Sequence, residues 1–138
     1  ESKADLLGDT IESIWREIFF NPEDEQVFKD VAACISWIYK RLEYGNEQFP
    51  GFFSLHSLGF MKDEKMDGKK KMLQTWGHIL NGLCDILKND PKIRPDVFDE
   101  QFTEKQFADI LFSLILVSMI RQDYNPSSIL MLINKTLY

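Results

Sequence analysis

The chain has 138 residues, 44% hydrophobic and 28% charged, with a formal net charge of −6. That balance describes one globular domain with a sizeable core and excludes an intrinsically disordered chain. The acidic sign argues against non-specific binding to nucleic acid or anionic lipid, and two cysteines make no disulfide framework.

Five helices are expected in chain order. The first runs from about Asp5 to Phe20, with Leu7, Ile11, Ile14, Trp15 and Ile18 at helical spacing. Asn21-Pro22 closes it and opens the second, because Asn caps and Pro suits the first helical position. Val27, Val31, Cys34, Ile35, Ile38 and Leu42 mark the buried stripe of that second helix, and Gly45 is its expected stop. Residues 46–66 read as a turn at Pro50-Gly51 and an aromatic connector. Phe49, Phe52, Phe53 and Phe60 are expected to tuck under the core.

The third helix is expected from about Lys69 to Lys88. Met72, Leu73, Trp76, Ile79, Leu80, Leu83, Ile86 and Leu87 form its apolar face, opposite Gln74, His78, Asn81 and Asp85. Asn89-Asp90-Pro91 ends it. The fourth helix carries the fullest local signal. Thr103 and Gln106 spell a capping box, and Phe102 and Phe107 stand at the two positions of a hydrophobic staple. The run to Arg121 is apolar on nearly every face, so the helix is expected to be enclosed by its neighbours. Its apolar run from Phe107 to Ile120 is too short to span a bilayer. Asn125-Pro126 repeats the cap-plus-proline device and starts a last helix carrying Ile129, Leu130, Ile133 and Leu137.

No stretch sustains strand alternation. The expectation is therefore an all-α, compact bundle of about five helices around a central hydrophobic helix 104–121, or a segment of a helical-repeat solenoid. Residues 1–138 read as a single helical domain excised from a longer protein. Cys34 and Cys84, read as buried free thiols, point to an intracellular location in cytoplasm or nucleus.

The inventory of reactive groups favours no enzyme. A nucleophile-plus-base site usually needs a histidine, and only His56 and His78 are present. Metal-ligand spacings are missing, and Gly68-Lys69-Lys70 lacks the upstream half of a phosphate loop. Neither a metal nor a cofactor is expected. Two surfaces remain. Trp37, Arg41 and Tyr44 share one face of the second helix, away from its main stripe, and are residue types enriched at interface hot spots. The basic cluster Lys62, Lys65, Lys69, Lys70 and Lys71 offers phosphate contacts, with Asp63, Glu64 and Asp67 interspersed to neutralise it.

Leu7-Gly8-Asp9 followed by Ile11 resembles the centre of a BH3 motif, and Trp76-Gly77-His78 is similar to the start of a BH1 motif. Ala4, Thr75 and His78 stand where that family has Leu, Asn and Arg. The resemblance implies a Bcl-2-like bundle that regulates a partner. The residues themselves favour a non-enzymatic interaction or scaffold domain that docks a partner helix or peptide, or a second copy of itself, through Trp37, Tyr44 and Arg41. Nucleic-acid or phosphate binding through the lysines is the alternative, and no membrane partner is expected.

Overall fold

A computed structural model describes residues 13–19, 28–53 and 67–138, with side chains from residue 76 onward in the last stretch. The expected helix from Asp5, the Asn21-Pro22 boundary, His56, Phe60, Lys62 and Lys65 lie outside the described residues, wholly or in part. Five helices and no strands occur among those described: α1 (residues 13–19), α2 (Val31–Gln48), α3 (Asp67–Asn89), α4 (Glu104–Arg121) and α5 (Ser127–Leu137). The all-α bundle is as the periodicity requires. Spatially, α5 lies on α2, α2 meets α3, and α3 and α4 pack most extensively. One core runs through all five, from Trp15 and Ile18 through Ile35, Leu42 and Leu83 to Leu111, Ile115 and Ile133.

The second helix differs from its expected bounds at both described ends. It begins at Val31, where the Asp30 carboxylate accepts the Ala33 N–H at 2.7 Å, while residues 28–30 are not helical. It also runs through Gly45 and ends three residues later at Gln48. Gly45 is buried inside the helix, where a Cβ would press on Ile18 of α1 and on Phe53. Asp30 also pairs with Lys92 at 2.7 Å. That hydrogen bond and the one from Ala33 hold its carboxyl below the usual aspartate value. A depressed carboxyl contributes stability above its unfolded value and loses it as pH falls through the folded one. Asp30→Asn keeps a capping oxygen but removes that titration. We expect the wild-type chain to lose more stability than Asp30→Asn between about pH 5 and about pH 2, read as denaturation midpoints. Equal losses would assign the acid sensitivity elsewhere.

The fourth helix starts as its sequence demands. The Gln106 N–H donates to Thr103 Oγ1 and the Thr103 N–H donates to Gln106 Oε1, so both arms of the capping box are made. The staple is enlarged by a third ring: Phe98, Phe102 and Phe107 sit with centroids 5.9–6.0 Å apart. The expectation of complete enclosure is corrected. Phe107, Ala108, Leu111, Ile115 and Met119 are buried along one stripe, whereas Ile110, Val117 and Ile120 stay 43–47% exposed. Composition makes every face apolar, but the bundle covers only one side. At the far end Gln122 turns left-handed, which lets the Asp123 N–H close on the Ser118 carbonyl at 3.0 Å.

Aromatic side chains knit the α1 side together. Trp15 is fully buried and meets Phe19, Phe52, Phe53 and Trp76 at centroid distances of 5.2–6.1 Å. Trp76 in turn meets Phe112 of α4 at 5.5 Å. Phe53, from the expected aromatic connector, is 0% exposed. Edge-to-face pairs of this kind add about 0.5–1.5 kcal/mol each beyond their area burial.

A second junction is polar. Asp90, at the end of α3, accepts the Val31 N–H at 3.0 Å, the Lys92 N–H at 2.9 Å and the Tyr138 hydroxyl at 2.7 Å. The same turn holds the end of α5: the Arg94 N–H donates to the Leu137 carbonyl, and its guanidinium donates to that of Thr136, both at 2.8 Å. Sequence reading gave Asp90 only a helix-stopping role. Its position satisfies an N-terminal N–H of α2 that has no partner within its own helix.

Candidate functional site: an apolar groove beside Trp37

A cavity of about 450 Å³ opens where α2 and α3 diverge. Its α2 wall comes from Cys34, Trp37 and Ile38, and its α3 wall from Ile79, Gly82, Leu83 and Ile86. Phe19 and Phe28 close one side, while Lys29, His78, Asp85 and Asn89 supply the polar lining. The volume falls in the range of ligand and peptide sites, and mainly apolar walls with a few polar groups are their usual make-up.

Both walls follow from helical spacing. Trp37 lies three residues beyond Cys34, while Ile79, Leu83 and Ile86 recur at four and three. Trp37 is half-buried, with Phe28 at 5.3 Å and Phe19 at 6.2 Å between ring centroids. Its Nε1–H is buried without a hydrogen-bond acceptor among the described residues, a state that costs free energy until an acceptor is supplied. Burial pushes the Cys34 thiol up to about 12, so it lines the groove as a small apolar group rather than a nucleophile.

Gly82 is unusual in this wall. A Cβ added there meets nothing within 4 Å, so no packing among the described residues requires glycine, although glycine disfavours a helix interior. Gly82→Ala is therefore expected to raise stability by about 1 kcal/mol, seen as a higher urea midpoint with an unchanged slope. A destabilised variant would mean that the groove closes over this position.

The three residues singled out on α2 share one face but divide in role. The Arg41 guanidinium donates to the carbonyls of Ile18 at 2.5 Å and Glu17 at 2.8 Å, both in α1. The Tyr44 hydroxyl donates to Glu17 Oε1 at 3.2 Å, and Arg41 lies over the Tyr44 ring at 4.4 Å. That hydrogen bond to Glu17 raises the phenol above its ordinary value. Arg41 and Tyr44 thus fasten α1 to α2 and position Phe19, while Trp37 faces the groove. Of the lysine cluster, Lys69, Lys70 and Lys71 fall in the first turns of α3, which starts at Asp67, two residues ahead of the expected Lys69. Their side chains lie outside the described residues.

Two smaller apolar surfaces accompany the groove. Ile110, Val117 and Ile120 recur at helical spacing with Ser113 between them on the outer face of α4, and Met131 and Leu132 project from α5 at 54% and 42% exposure. By spacing, Tyr138 would lie off the main stripe of α5 with Met131 and Leu132. Tyr138 instead turns in to Asp90, and burial together with that hydrogen bond pushes its phenol well up.

Among the described residues, no group of three or more His, Cys, Asp or Glu side chains is placed to hold a metal ion, and no helix is long and apolar enough to cross a membrane. No protein-family model matches the chain, and no curated protein or solved structure is detectably similar to it. The BH3-like residues Leu7 to Ile11 lie outside the described residues. Trp76, of the BH1-like triplet, packs against Trp15 and Phe112.

Proposed function

We propose that this domain is a non-enzymatic interaction module that receives the apolar side of a partner helix or peptide in the groove between α2 and α3. The observation carrying this reading is the apolar cavity itself, walled by Trp37, Ile79, Leu83 and Ile86 and floored on one side by a glycine without a packing role. Helix-in-groove recognition uses apolar anchors at helical spacing, and tryptophan is the residue type most enriched where such anchors dock. Arg41 and Tyr44 contribute indirectly, by holding α1 so that Phe19 completes the wall.

The test fills the groove without burying a charge. The Cβ of Gly82→Leu has nothing within 4 Å of it, so the helical circular-dichroism signal should be retained. We expect captured partner to fall about tenfold or more, the factor that 1.4 kcal/mol represents. Val117→Glu, on the outer face of α4, should leave capture unchanged. Undiminished capture by a folded Gly82→Leu variant would refute the groove. Capture that collapses as salt rises would transfer the role to Lys62, Lys65 and Lys69 to Lys71, because phosphate contacts are salt-dependent.

A further inference from the structure

We draw no further inference here: the strongest candidate, the exposed apolar stripe of Ile110, Val117 and Ile120 on the outer face of α4, has nothing in the structure to show what covers it.

Discussion

Asp90→Ala is expected to destabilise the domain by about 2–4 kcal/mol, because three hydrogen-bond donors lose one shared acceptor. The carboxylate is 7% exposed and receives three donors, two from the backbone and one from Tyr138. Removing it leaves the Val31 N–H without a partner beside a fully buried side chain, and an unsatisfied buried donor costs about 1–3 kcal/mol by itself. The Tyr138 hydroxyl loses its acceptor as well. A domain of this size holds only about 5–15 kcal/mol in reserve, so the variant should unfold at a much lower urea concentration. Asp90→Asn keeps an acceptor but not the charge and should cost about half as much; Tyr138→Phe should cost about 1 kcal/mol. If Asp90→Ala cost less than Tyr138→Phe, the junction would not depend on the carboxylate.

Gly45→Ala should destabilise by about 1–3 kcal/mol, although alanine is the better helix former by about 1 kcal/mol. The added Cβ would stand 2.8 Å from Ile18 Cδ1 and 3.0 Å from Phe53 Cζ. Both neighbours are 0% exposed, so neither has room to retreat. The close-packed interior therefore outweighs propensity. Shortening one neighbour tests the cause: Ile18→Val removes Cδ1, so the double variant should lose less stability than the sum of the two single ones. Strict additivity would place the damage elsewhere. Gly82→Ala, with the opposite expected sign, shows that open space rather than residue type decides the outcome.

These contrasts show what can be read from a sequence. The start of α4 was legible because a capping box and its staple are completed within six residues, from Phe102 to Phe107. The apolar faces of α3 and α5 were legible from spacing, and Leu83, Leu87, Ile129 and Ile133 are buried accordingly. Gly45 carried a misleading local signal, since glycine suits a helix stop and a close helix crossing equally. Its role depends on Ile18 and Phe53, which no local window couples to it. Asp90 is likewise ambiguous after Asn89, because its partners are 59 and 48 residues away. Trp37, Arg41 and Tyr44 fall on one face of α2 by spacing. Only the position of the α1 carbonyls and the Glu17 carboxylate separates the two that fasten α1 from the one that lines the groove. The exposed stripe of α4 was hidden for another reason: a uniformly apolar helix gives no periodic cue to which side its neighbours cover.

The aromatic arrangement has a spectroscopic consequence. Trp15, Trp37 and Trp76 belong to α1, α2 and α3, whereas α4 and α5 contain no tryptophan. Indole emission therefore samples one half of the bundle, with Trp15 and Trp76 held nearly perpendicular at 6.1 Å. Detachment of α5 from α2 leaves that aromatic assembly in place, so the dominant chromophores are poorly placed to register it. Far-ultraviolet dichroism, which counts helical peptide bonds wherever they lie, registers the loss.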